Sequence, residues 1–256
     1  MGMDLYAGTL TRYYAHNWKT VGQQWAEENG YGFHRITPDG APVQEEELPV
    51  DEIRETVCAW RDWVTAALSA SVETPLAPWR EDNESPYYTD KPDWDAYGAL
   101  QLYGASLLYG EPCPGTVKKG EDIGEQPLLR RALEDPEVNW SLYSDVELWL
   151  PFREAFHFTA PNAAGSEGRI ATAGALLDEL RWINSHGWNA PEEEILAWDR
   201  TEGYPADAAV GADGTFTRLT EHTLYRTESL ARFAYCIFYK AARYSLKHQV
   251  PIQLDY

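Results

Sequence analysis

The stretch ELWLPFREAFHF, residues 147–158, places a glutamate three residues before a histidine. On a helix, Glu154 and His157 would share one face and could bind a metal ion or exchange a proton, whereas on a strand they would point to opposite sides. From 146 to 158 every even position is apolar except Glu154, an alternation typical of a half-buried strand. The pattern therefore separates the two side chains, and it predicts no metal site.

Glu154 is the exception on the apolar face of this predicted strand. An unpaired carboxylate there is costly and could act as a general acid or base. Three structural explanations compete with that role. Pro151 could mark a bulge that shifts the register, the charge could protect an edge strand, or an arginine such as Arg153 could neutralise it. His157, on the polar face, is predicted to be a surface histidine.

A second candidate site is an aromatic segment that lacks any helical stripe. Trp79, Tyr87, Tyr88 and Trp94 lie in or beside residues 72–92, a proline-rich stretch that predicts a long loop. Their rings could form the wall of a binding site, or they could simply fold the loop onto the body of the protein. Since glycosidases use two carboxyl groups, a hydrolase acting on carbohydrate through Glu154 and a loop carboxylate is one hypothesis.

The net charge narrows the classes of partner. The chain has 41 acidic and 21 basic residues, a net charge of −20, which disfavours binding to nucleic acid or to an anionic membrane surface. The acids cluster at 44–55, 80–85 and 191–194, with Glu45, Glu46 and Glu47 in the first cluster. Such runs are commonly solvated faces. The alternative, which we favour for function, is an acidic surface that binds a basic protein, as an inhibitor or toxin-immunity protein would.

One predicted helix reverses this charge. Residues 224–248 contain five basic residues and one acidic residue, within an apolar and small-residue periodicity that predicts a long helix over 221–248 near the centre of the fold. The favoured interpretation is that these cations neutralise neighbouring acidic helices and the C-terminal end of the helix dipole. A site for an anion is the other interpretation.

Other functional signatures are not found in the sequence. It contains no phosphate-binding loop, dinucleotide-binding motif or nucleophile elbow, so no cofactor is predicted and no catalytic motif supports an enzyme. The three cysteines are widely spaced, and there is no apolar signal segment or membrane-spanning run. These features predict a cytoplasmic protein.

The elements predict an α+β fold in one domain, 1–256, with a small antiparallel sheet covered by about six helices. The strands are expected at 3–14, 31–36, 145–159 and 168–172. The strongest helix begins near Asp51, and its apolar stripe is Ile53, Val57, Trp60, Val64 and Leu68. On this framework we expect a non-enzymatic binding protein, with the Glu154 hydrolase as the alternative.

Overall fold

The computed structural model describes residues 2–32, 49–206, 208–210, 216–219 and 221–256. Within these residues the chain forms nine α-helices and ten strands. The helices are α1 (Leu10–Tyr14), α2 (Val21–Glu28), α3 (Val50–Ser69), α4 (Trp94–Tyr109), α5 (Pro127–Glu134), α6 (Ala173–His186), α7 (Glu192–Ile195), α8 (Trp198–Thr201) and α9 (Thr227–His248). The strands are β1 (Asp4–Ala7), β2 (Tyr88–Asp90), β3 (Thr116–Lys118), β4 (Val146–Leu150), β5 (His157–Pro161), β6 (Glu167–Thr172), β7 (Ala208–Val210), β8 (Phe216–Arg218), β9 (Leu224–Arg226) and β10 (Ile252–Asp255).

The central sheet differs from the small antiparallel sheet that the sequence predicts. It has six strands in the order β2, β1, β10, β4, β6, β5, and it is mixed because β4 and β6 run parallel. β2 lies inside the predicted long loop, and β10 was not predicted. β10 joins β1 to β4, so the sheet depends on pairing between the two ends of the described chain. Because β10 is short and its partners are distant in sequence, the local sequence contains little pattern that predicts this strand.

The predicted strand 3–14 is correct only at its start. β1 ends at Ala7, and α1 begins at Leu10 with Thr9 as its cap, whose side chain accepts a hydrogen bond from the N–H of Arg12. Aromatic and β-branched residues favour a strand locally, but capping from elsewhere in the fold decides for a helix. Of the predicted strand 31–36, residues 33–36 lie outside the described residues, and 31–32 are not in a strand.

The predicted strand 145–159 is in fact two strands. β4 ends at Leu150, residues 151–156 form a turn, and β5 begins at His157. Pro151 cannot donate a hydrogen bond to a sheet, and the N–H of Phe152 turns back to the carbonyl of Leu150 at 2.8 Å. The apparent alternation therefore runs through a break in the chain direction. β6 occupies the position predicted for the strand 168–172.

The sheet separates two hydrophobic cores. Trp149 of β4 belongs to the core formed with α4, α6 and α9, whereas Leu148 and Leu150 belong to the core formed with α3. Neighbouring strand residues point to opposite faces, so both faces of β4 are covered. The predicted stripe of α3 is confirmed at Val57, Trp60, Val64 and Leu68, which are buried. α9 is central as predicted and packs against α4 and α6.

A buried carboxylate connects the segment before β2 to the start of α1. Glu81 is only 4% exposed. Its Oε1 accepts hydrogen bonds from the indole N–H of Trp79 at 2.6 Å and the N–H of Leu10 at 3.2 Å. Its Oε2 accepts from the N–H and hydroxyl of Thr11 at 2.8 and 2.9 Å. Glu81 therefore supplies acceptors for otherwise unpaired donors at a helix N-terminus.

We predict that Glu81→Gln lowers the free energy of unfolding by about 2 kcal/mol, because its amide group would face N–H donors and leave at least one of them unpaired. Urea unfolding followed by circular dichroism measures this. Glu84→Gln, at an exposed position on the same segment, is the matched control and should change stability by less than about 0.5 kcal/mol. Equal effects of the two substitutions would contradict the capping role.

Candidate functional site

A cleft of about 790 Å³ opens between the β4–β5 turn, α6, α7 and the C-terminal half of α9. Its charged lining contrasts with the acidity of the whole chain. It contains five of the 21 Lys and Arg residues, and Glu192 is the one carboxylate among the described lining residues. The five are Arg153, Arg181, Lys240, Arg243 and Lys247. The cleft is thus a concentrated cationic surface in an acidic protein, and we call it the basic cleft.

The turn that carries Arg153 is attached to the first residues of α6. The N–H of Gly174 donates to the carbonyl of Phe152 at 2.9 Å, and the hydroxyl of Thr172 donates to the carbonyl of Glu154 at 2.6 Å. An added Cβ at Gly174 would lie 2.0 Å from the carbonyl oxygen of Arg153, so this approach requires glycine. The backbone on both sides of Arg153 is thereby fixed beside α6.

α9 supplies the opposite wall. Lys240, Arg243, Tyr244 and Lys247 follow one another at helical spacing along its last two turns, and all line the cleft. α9 ends at His248, so Lys247 in its last turn also lies near the negative end of the helix dipole. The sequence pattern of α9 therefore determines which of its residues can face the cleft.

Three of the five cations have acidic partners. Lys240 Nζ lies 2.5 Å from Asp199 Oδ2, and Arg243 forms an ion pair with Glu192. Arg181 lies 3.4 Å from Asp178 at an exposed position. For α9, the favoured interpretation of its cations, neutralisation by acids of neighbouring helices, is therefore confirmed at Lys240 and Arg243.

Arg153 and Lys247 differ from the other three cations. Both are exposed, and neither has an ion pair within 4 Å among the described residues. After the three pairs are subtracted, the basic cleft keeps a charge of +2 from these two side chains. Neutralisation of α9 is thus incomplete, and the residual positive charge faces a concave surface.

Rings and aliphatic side chains line the remaining wall. The rings of Tyr88 and Tyr244 are 6.0 Å apart, and that of Tyr244 stacks on His248 at 4.2 Å. The hydroxyl of Tyr88 donates to Asp90 at 3.0 Å. Burial raises the pKa of Tyr88, and the neighbouring Asp90 carboxylate raises it further, so Tyr88 stays neutral. Leu177 closes the apolar side of the cleft.

Lys240 keeps its charge at the inner end of the cleft. Its partial burial is the largest single effect and disfavours the ammonium form, but the hydrogen bond to Asp199, the charge of Asp199 and the neighbouring Cys236 together outweigh that cost and raise the pKa of Lys240. The adjacent Cys236 thiol is fully buried, and burial raises its pKa. Cys236 is therefore a neutral, inaccessible thiol rather than a nucleophile.

Glu154 and His157 are arranged differently from the prediction. Glu154 is exposed in the β4–β5 turn and does not line the basic cleft, so its predicted place on a buried face is wrong. His157, predicted to be a surface residue, is partly buried, since its side chain is 17% exposed and its Nε2 lies 3.4 Å from Glu179 Oε1. Glu179 also accepts hydrogen bonds from the N–H and hydroxyl of Ser141 at 2.7 and 2.8 Å. The side chain of this stretch that enters the cleft is Arg153.

The aromatic segment is dispersed over the structure. Trp79 is 2% exposed and packs edge-on against Phe152 in the core. Tyr87 lines a different cleft, and its hydroxyl oxygen accepts from the N–H of Lys19 at 2.9 Å. Trp94 is exposed, and Tyr88 alone of the four lines the basic cleft. These four rings therefore do not form one binding wall.

The acidic clusters also have separate fates. The predicted binding residues Glu45, Glu46 and Glu47 lie outside the described residues. In the cluster 80–85, Glu81 caps α1, and Asp82 accepts hydrogen bonds from the N–H and hydroxyl of Ser85. In the cluster 191–194, Glu192 pairs with Arg243. At least some of the acidic side chains therefore form hydrogen bonds or ion pairs within the protein.

The described part of the chain lacks two further features. It contains no group of three or more His, Cys, Asp or Glu side chains arranged to hold a metal ion. None of its helices is long and apolar enough to cross a membrane.

Comparison with known proteins gives no further information on the basic cleft. No family model matches the chain, and no significant match was found among curated proteins or solved structures. The function of the chain is therefore inferred from the geometry and charge of the site.

The ion pair at the inner end of the cleft should contribute to stability. We predict that Asp199→Asn lowers the free energy of unfolding by about 1 to 2 kcal/mol, because a partly buried ammonium loses its counterion and solvent screens only part of the loss. Asp178→Asn removes an exposed pair as a control and should cost less than about 0.5 kcal/mol. Thermal and denaturant unfolding of both variants measures the difference, and equal losses would contradict the prediction.

Proposed function

We propose that this chain is a binding protein that recognises an anionic ligand in the basic cleft. The observation that carries the proposal is the pair of cations, Arg153 and Lys247, that line a concave site without an ion pair among the described residues. Other exposed cations of the described residues, such as Arg54, Lys91 and Lys118, also have no ion pair, but Arg153 and Lys247 are distinguished by lining the same concave site. An anion would complete the charge balance of the cleft.

Binding is supported better than catalysis by the chemistry of the lining. General acid–base catalysis needs a group that can hold and release a proton near the substrate. Among the described lining residues the one carboxylate, Glu192, is paired with Arg243. The hydrolase hypothesis loses its physical basis, because Glu154 is exposed and outside the cleft.

The long-range field does not prevent this function. The net charge of the protein repels anions at a distance, but salt screens exposed charges beyond about 8 Å at physiological ionic strength. Within the cleft, nearby cations and low-dielectric walls such as Leu177 dominate the local potential. We therefore expect a slow, salt-tolerant approach followed by short-range capture of the ligand.

The test compares paired variants of equal charge. Arg153→Ala combined with Lys247→Ala should weaken binding of anions such as phosphate, pyrophosphate and citrate by roughly tenfold or more, because each lost charge-assisted hydrogen bond is worth about 1.5 to 3 kcal/mol. Arg130→Ala combined with Lys118→Ala removes two exposed cations outside the cleft and should leave binding unchanged. Isothermal titration calorimetry measures both.

The proposal fails if no anion of the panel binds the unaltered protein, or if both double variants bind equally well. Folding of each variant is checked by its unfolding midpoint, which should remain within a few degrees because all four positions are exposed.

A second proposal is the binding of a basic protein at an acidic surface. The observation that favours it is on α3, where Asp51, Glu52 and Glu55 are exposed directly after the cluster Glu45, Glu46 and Glu47. Complementary charge would accelerate such an association. An inhibitor or immunity-type function would use this surface, independently of the basic cleft.

Neutralising these acids tests the second proposal. With a basic partner identified from extracts and purified, Asp51→Asn, Glu52→Gln and Glu55→Gln together should slow association by about tenfold at low salt. Neutralising three exposed acids elsewhere, Glu84, Glu137 and Glu167, is the control. Stopped-flow or surface plasmon resonance gives the rates, and equal slowing by both sets would show only an effect of net charge.

A further inference from the structure

We propose that the ligand of the basic cleft is a small phosphate monoester that carries a planar ring. This inference rests on the proposed anion-binding function, and it names the chemical class of the ligand. Three properties of the cleft support it: the number of unpaired cations, the kind of surface beside them and the size of the space.

The charge of the cleft fits a dianion. Arg153 and Lys247 together leave +2, while a phosphate monoester carries about −1.5 to −2 at neutral pH. A single carboxylate would leave one cation uncompensated. Guanidinium binds phosphate oxygens through two parallel N–H donors, and an ammonium acts as a point charge on the same group. The combination of one arginine and one lysine therefore suits a phosphate.

The rings of the cleft provide a surface on which a planar group can stack. Tyr244 and His248 stack on each other at 4.2 Å, and Tyr88 lies 6.0 Å from Tyr244. His248 is exposed, so this small platform reaches the opening of the cleft. Lys247 adjoins His248 in sequence, which brings a free cation and the rings to the same end of α9.

The volume is that of a metabolite site. About 790 Å³ falls within the range of roughly 300 to 1,000 Å³ typical of small-molecule pockets. Leu177, Leu196 and Leu246 add the apolar contact that a ring requires and free phosphate does not. A nucleic-acid strand is a poor alternative, since its many phosphates would meet the field of a protein with net charge −20.

The experiment uses four probes that separate charge from ring: adenosine 5′-monophosphate, ribose 5-phosphate, inorganic phosphate and adenosine. Calorimetric titration of the full chain should give the tightest binding for adenosine monophosphate. Ribose 5-phosphate and phosphate should bind roughly tenfold or more weakly, since stacking of one base is worth about that factor. Adenosine, which has no charge, should be the weakest of the four.

Variants test which residues bind the ring of the ligand and which bind its phosphate. Tyr244→Leu combined with His248→Leu should weaken adenosine monophosphate about tenfold and leave ribose 5-phosphate unchanged. Arg153→Ala should weaken both phosphates. Tyr31→Leu, an exposed tyrosine outside the cleft, is the matched control and should alter neither.

The outcomes distinguish failure of the planar-ring inference from failure of the proposed anion site. If ribose 5-phosphate binds as tightly as adenosine monophosphate, or if the ring variant weakens both equally, the planar-ring inference is overturned and the anion site stands. If adenosine binds as well as its phosphate, the charge argument is wrong. If none of the three phosphate probes binds, this inference fails, and the wider anion panel then decides whether the proposed function fails with it.

Discussion

The contact on which the basic cleft depends is the attachment of the β4–β5 turn to the start of α6. The N–H of Gly174 needs an acceptor because it belongs to the first turn of a helix, and the carbonyl of Phe152 supplies it. The absence of a side chain at Gly174 lets the two backbones touch. This contact turns the chain out of the sheet after Leu150 and places Arg153 beside α6. Without this contact, the chain that follows β4 would not be held beside α6, and the cleft would lack the wall that carries Arg153.

The distribution of charge follows from the same packing. The short helices α7 and α8 lie against α9, where Glu192 of α7 and Asp199 of α8 compensate two of its cations. Arg153 comes from a different part of the chain, and Lys247 lies on the last turn of α9. The unpaired charge in the cleft is therefore a product of geometry, since the chain as a whole has an excess of acids.

The local sequence pattern was sufficient to predict an element where that element buries one face against the rest of the protein. The stripe of α3 from Val57 to Leu68 and the position of α9 followed from helical periodicity, because each helix buries one side against the sheet or its neighbours. It failed at 151–156, where Pro151 ends β4 and the chain leaves the sheet, and at 3–14, where Glu81 caps a helix from 70 residues away. The mixed sheet could not be predicted, because pairing of β10 with β1 and β4 joins distant segments that carry no signal for each other.

The sequence by itself determined the acidity of the protein, the principal helices and the presence of a basic face on α9, because composition and periodicity are local properties. Only the tertiary structure decided which charges remain unpaired. In residues 147–158 it places Arg153 in the cleft and leaves Glu154 outside it. It also brings His157 close to Glu179, a residue on another element. Coulomb interactions and hydrogen bonds depend on distances between side chains, and those distances are set by how the elements pack.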